Sequence, residues 1–130
     1  MRWIKKLIEE FENNKKISWI ILIIILITIT YCSSIPGSSL QFNSIWPSVI
    51  YHFSVFAGFG FALKMLISKK ERKRKDFFIV VCISLLVAIL DEFHQIFVPF
   101  RSPDIKDILT DMGGVIFSMI IYSAIKKIKD

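Results

Sequence analysis

The sequence predicts an all-α, polytopic membrane protein with four transmembrane helices, preceded by an amphipathic helix lying on the membrane surface. Three observations carry that prediction. The 130-residue chain is 54% hydrophobic with a mean hydropathy of +0.57, more apolar than an ordinary soluble domain. Four segments, residues 17–32, 45–67, 77–98 and 105–125, are long enough, or nearly so, for a hydrocarbon core that takes roughly 20 apolar residues. The basic residues, finally, fall between these segments in an alternating pattern. A soluble helical bundle is the disfavoured alternative, because helices apolar on all sides belong in lipid.

Two units follow, residues 1–14 and residues 15–130. In the first, Trp3, Ile4, Leu7, Ile8 and Phe11 share one face at helical spacing, and Lys5, Lys6, Glu9, Glu10 and Glu12 take the other. That pattern predicts an interfacial anchor helix over residues 1–11, broken by Asn13-Asn14. The first span contains the unbroken aliphatic run from Ile20 to Leu26. It is kept as a span and not as a cleaved leader, because its flank is long and mixed in charge and Tyr31-Cys32-Ser33-Ser34 offers no small-x-small site. Pro36-Gly37 marks a turn in the connection that follows. Trp46-Pro47 opens the second span, with Trp at interfacial depth and Pro in a first turn. Gly58 and Gly60, with Ala57 and Ala62, give that span a small-residue surface, and Gly113 and Gly114 do the same in the fourth.

Charge sets the orientation. Arg2, Lys5, Lys6, Lys15 and Lys16 precede the first span, whereas residues 33–44 carry no charge. The middle connection is Lys69-Lys70-Glu71-Arg72-Lys73-Arg74-Lys75; the third has only Arg101 before Lys106, and the tail carries Lys126, Lys127 and Lys129. The positive-inside rule then places both termini and the middle connection in the cytoplasm, with the protein in the cell membrane. Basic residues so distributed serve topology, so the net charge of +6 does not point to a nucleic-acid partner. Cys32 and Cys82 fall at opposite depths, so no disulfide is expected and both are read as buried thiols.

On this topology three spans deliver polar groups to one depth near the outer surface. His52 lies about two turns into the second span; Asp91, Glu92, His94 and Gln95 end the third; Asp104, Asp107 and Asp111 open the fourth. At about 100° per residue the three aspartates fall within about 60°, and Asp91, His94 and Gln95 share an arc of about 100°, with Glu92 beside Gln95. Pro99 and Pro103 confine the turn that holds Arg101, whose natural partner is the carboxylate of Asp107 or Glu92. Plainer roles exist: Asp104 and Asp107 suit a helix N-terminus, Arg101 a solvated loop, and His52 a bond between helices. Glu92 and Asp111 lie deeper, where charge costs a few kcal/mol unless it is paired or wet.

Carboxylates with an imidazole can bind a cation or act as general acid and base. Arg101 near a helix N-terminus can hold a phosphate or carboxylate. No Gly-rich phosphate loop, Cys-x-x-Cys or His-Glu-x-x-His occurs, and spacing alone assigns no metal ligand, cofactor or catalytic residue.

The run Asp91-Glu92-Phe93-His94-Gln95-Ile96-Phe97-Val98-Pro99-Phe100-Arg101-Ser102, followed by Asp107, Asp111 and Gly114, resembles the VanZ-like membrane proteins. His52-Phe53 after a Ser/Pro/Gly-containing loop fits the same family, and the similarity covers residues 33–118. The resemblance implies four spans and carries site roles to Glu92, Gln95, Arg101, Asp107 and Asp111, with Gly114 structural. It departs at Phe100, where the family often has Gly, at Val49-Ile50-Tyr51, where many members have a Lys, and at Ser118, a frequent Gly. It further implies a link to low-level resistance to the glycopeptide teicoplanin. The leading expectation is a protein whose outer polar cluster engages a membrane lipid, a lipid headgroup or a cell-envelope precursor. Two others stand beside it. One is an enzyme of lipid or lipid-linked intermediates, with Glu92 or His94 as acid/base and the aspartates holding a divalent ion. The other is an accessory subunit of a membrane complex.

Overall fold

The computed structural model describes residues 2–39, 44–68 and 73–127. Its helices are α1 (Arg2–Asn13), α2 (Lys15–Ser33), α3 (Trp46–Ile67), α4 (Lys73–Gln95) and α5 (Ile105–Lys126), with a 3-10 turn at Gly37–Ser39; no strand occurs among the described residues. Four of them are long and apolar enough to cross a membrane, which makes this a multi-pass membrane protein. Lys69, Lys70, Glu71, Arg72 and Lys129, which contribute to the charge alternation, lie outside the described residues.

Local chemistry sets the helix ends. Pro47 sits in the first turn of α3, where its missing N–H costs no helical bond. The third span was expected to reach residue 98, but α4 stops at Gln95. Val98 precedes Pro99, and a residue before proline is driven out of the helical region. Ile96, Phe97 and Val98 instead turn their amides back to the carbonyls of Phe93, His94 and Gln95, at 3.3, 3.0 and 3.1 Å. Asp104, extended and accepting from the Lys106 amide at 2.9 Å, starts α5 as a side-chain cap.

The core forms around α3, which contributes the fully buried Phe56 and Phe59 and packs on Val80 and Ala88 of α4 and Val115 and Met119 of α5. Its interface with α5 is the most extensive in the bundle. There the helices touch backbone to backbone: a Cβ on Gly114 would stand 2.2 Å from the Phe53 carbonyl oxygen and 3.0 Å from the Ala57 nitrogen. Gly60 meets Val115 and Ser118 in the same interface, whereas Gly58 faces Ile25 of α2. Outward-facing aliphatic and aromatic side chains such as Ile20, Ile24 and Ile27 on α2 and Phe78, Leu86 and Phe93 on α4 form the lipid-facing surface. Cys82 shares that surface, four residues from both Phe78 and Leu86, so it is exposed and not buried as expected; it and the half-buried Cys32 are free thiols.

The bundle has two polar ends. At one, here the terminal end, α1 docks through Ile8, with Ile4 and Phe11, against Met65 and Tyr122, while Trp3 and Leu7 stay exposed. Part of the apolar face assigned to the membrane surface is therefore spent on the protein. The Tyr122 hydroxyl donates to Glu12, Lys126 lies 2.9 Å from Glu12 and 3.4 Å from Glu9, and Lys64 pairs with Asp76 at 2.9 Å, both buried. At the other, the loop end, the connections after α2 and α4 meet, with the Gly37 amide on the Pro99 carbonyl at 3.1 Å. Phe100 there adopts φ 58°, a left-handed conformation that disfavours any side chain with a Cβ.

Two stability changes follow. Gly114→Ala forces α3 and α5 apart and lowers stability by about 1–3 kcal/mol, read as a lower Tm of the detergent-solubilised protein. Phe100→Gly relieves the left-handed residue and raises stability by about 1 kcal/mol in the same assay. An unchanged or raised Tm for Gly114→Ala contradicts the close contact.

Candidate functional site

At the loop end, side chains from α3, α4 and α5 converge on His52. The imidazole is buried, with Nδ1 2.9 Å from Asp111 Oδ1 and Nε2 3.7 Å from Asp107 Oδ2. Asp107 and Asp111 stand one turn apart on α5, so a single imidazole meets both. From α4, Glu92 comes within the same group: ligand atoms of His52, Glu92 and Asp107 all lie within 4.8 Å of one another. Glu92 is held from two sides, accepting from the Gln95 amide at 3.0 Å and from the Asp104 backbone N–H at 2.8 Å.

The remaining expected residues are placed apart from this centre. Asp91 turns toward α2, accepting from the Ser33 hydroxyl at 2.5 Å, and His94 Nε2 lies 3.0 Å from the Ser34 hydroxyl. The Asp104 side chain is spent on its cap, so only its backbone amide enters the cluster. Arg101 does not pair with Glu92 or Asp107 as expected. Its Nε donates to the Ile35 carbonyl and its Nη2 to the Cys32 carbonyl, each at 3.1 Å. The physical reason is local: the Cys32 and Ile35 carbonyls lie at and just beyond the C-terminal end of α2, where its dipole is negative, while both Glu92 oxygens already have donors. Ser33 and Ser34, which orient Asp91 and His94, were passed over; their place at the outer end of the first span, level with the cluster, was the available signal.

Burial and charge make this centre unusual. Asp91, Glu92 and Asp111 are 7%, 3% and 0% exposed, yet no lysine or arginine pairs with them among the described residues. Asp91 Oδ2 and Asp111 Oδ2 are buried without a hydrogen-bond partner among the described residues. Beside the cluster, between α2, α3 and the loops, lies a cavity of about 360 Å³ bordered by Tyr51, His52, Gln95 and Arg101, with Ser33, Ser48 and Pro47. Arg101 is the one formally charged side chain on its wall among the described residues; the carboxylates stand behind His52 and Gln95.

A helical bundle of four spans with a buried acid–imidazole centre at one end defines a small polytopic membrane protein with a polar site. The chain belongs to the VanZ/LLP1 family, whose profile matches residues 10–126, the bundle and the last turn of α1. No curated protein and no solved structure matches the chain.

Arg101→Lys loses the planar fork that serves two carbonyls at once. Amide exchange at Gly37 then accelerates roughly tenfold or more, since a charge-assisted bond contributes about 1.5 kcal/mol or more. Exchange equal to wild type contradicts a role for Arg101 in fastening α2 to the loop before α5.

Proposed function

We propose that the loop end faces outward and that its cavity takes the anionic headgroup of a membrane lipid or lipid-linked envelope component. One observation carries this reading: the acids are withheld from the cavity wall, leaving Arg101 as its charged group beside the polar His52 and Gln95. Arg101 donates to the Cys32 carbonyl of α2 and to the Ile35 carbonyl just beyond it, which fixes the guanidinium, and the side chain borders the cavity. A planar fork so fixed suits the oxygens of phosphate or carboxylate. The outward orientation draws on the basic residues flanking the termini and the middle connection.

Membership of the VanZ/LLP1 family supports a link to low-level teicoplanin resistance. Teicoplanin carries an acyl chain that partitions into the bilayer, so a membrane-embedded protein that engages envelope headgroups reduces the drug's access to its target there. A second reading, an enzyme of lipid-linked intermediates, draws on His52, whose hydrogen bond to buried Asp111 resembles an oriented general base.

The test is susceptibility of a Gram-positive host expressing this chain, with teicoplanin and vancomycin measured in parallel. Protection against teicoplanin that disappears in Arg101→Ala, Glu92→Gln and Asp107→Asn at matched membrane levels is the expected result. Equal protection by folded Arg101→Ala removes the basis of the reading, and so does a well-expressed wild type that protects against neither drug.

A further inference from the structure

We infer that His52, Glu92 and Asp107 bind one divalent cation of borderline hardness, Zn²⁺ or Mn²⁺, with Asp111 as the positioning residue for the imidazole. The separations suit a shared ion better than direct bonding. At 3.7 Å, His52 Nε2 and Asp107 Oδ2 are too far apart for a hydrogen bond. Two ligands each about 2.1 Å from a tetrahedral ion stand about 3.4 Å apart. The whole set lies within 4.8 Å, a spread that shifts of about 0.7 Å per ligand or less close around one ion.

The imidazole is also presented for the task. Asp111, bonded to Nδ1 at 2.9 Å, fixes the tautomer in which Nδ1 carries the proton and the Nε2 lone pair points toward Asp107. A carboxylate behind a histidine is the usual outer support of a metal ligand, and it raises the basicity of the ring. Glu92 is likewise braced by Gln95 and the Asp104 amide.

A separate observation asks for positive charge. Asp111 is fully buried, and the second oxygen of the carboxylate that touches His52 has no partner among the described residues. Uncompensated carboxylates in a low-dielectric interior are costly, and Arg101, the one arginine near them among the described residues, is committed to the Cys32 and Ile35 carbonyls and the cavity wall. A divalent ion between His52, Glu92 and Asp107 supplies the missing charge. Asp107, 23% exposed, gives it a way in from solvent. One nitrogen with carboxylate oxygens selects Zn²⁺ or Mn²⁺ over Ca²⁺, which takes six to eight oxygens.

The experiment uses the full chain in detergent, stripped with EDTA and dialysed against Zn²⁺ or, separately, Mn²⁺. Metal is counted by mass spectrometry and affinity measured by calorimetry. The expected result is one equivalent per chain, weakened at least roughly 100-fold by Glu92→Gln or Asp107→Asn and about 10–100-fold by Asp111→Asn. Cys82→Ser, which removes the exposed thiol, binds as wild type does. Wild type that binds neither metal below millimolar concentration overturns the proposal, as do folded Glu92→Gln and Asp107→Asn proteins with undiminished affinity. Should those variants fail to fold, Mn²⁺-loaded wild type decides: magnetic coupling of the ion to an imidazole nitrogen is required, and its absence overturns the assignment. No lipid enters these assays, so their outcome is separable from that of headgroup binding.

Discussion

Backbone contact between α3 and α5 at Gly114, where the Phe53 carbonyl leaves no space for a Cβ, fixes how closely the two helices run. His52 is the residue before Phe53, and Asp111 and Asp107 lie one and two turns before Gly114 on the same side of α5. The helix separation set by a missing methyl thus becomes the distance between an imidazole and two carboxylates. A wider interface would leave His52 and Asp111 buried but out of reach of each other, the costliest arrangement for both. Once that pair is in place, α4 adds Glu92, and Asp91 turns to the serine at the end of α2.

The two polar ends of the bundle treat charge differently. At the terminal end each of these acids has a lysine beside it: Asp76 has Lys64, and Glu9 and Glu12 share Lys126. At the loop end, acids outnumber bases, and the arginine is turned toward α2 and the cavity. Phe56, Phe59, Val80 and Val115 fill the layer between them, which separates the two systems. A surplus of one sign, buried and fixed by hydrogen bonds, is an expensive feature for stability alone. This imbalance, more than the number of polar residues, singles out the loop end as the candidate site.

Hydropathy and charge made the four spans and the level of the polar cluster legible, because both are properties of single segments. The division of labour within the cluster was not. A helical wheel groups Asp107 with Asp111, but it cannot say that Asp91 faces α2 while Glu92 faces α5, since that depends on how α4 is rotated against its neighbours. Arg101 misled for a different reason: its acceptors are main-chain carbonyls of Cys32 and Ile35, which a search among side chains never considers. Lys64 sits inside an apolar run and Asp76 beside a basic loop, so neither stood out until they met. The left-handed backbone at Phe100 suits glycine, the residue that the family resemblance led us to expect there.

The Lys64–Asp76 pair bears on how such a chain enters the bilayer. Its partners flank a single connection, twelve residues apart, at the ends of consecutive helices. Either ion alone raises the cost of partitioning its helix into hydrocarbon by up to about 3 kcal/mol. Joined, the two cancel within one helical hairpin, without any contribution from α5. α3 and α4 are therefore suited to enter the bilayer together, with these two charges already paired. On that view the ion pair belongs to the birth of the fold, a task apart from anything the acids at the far end do.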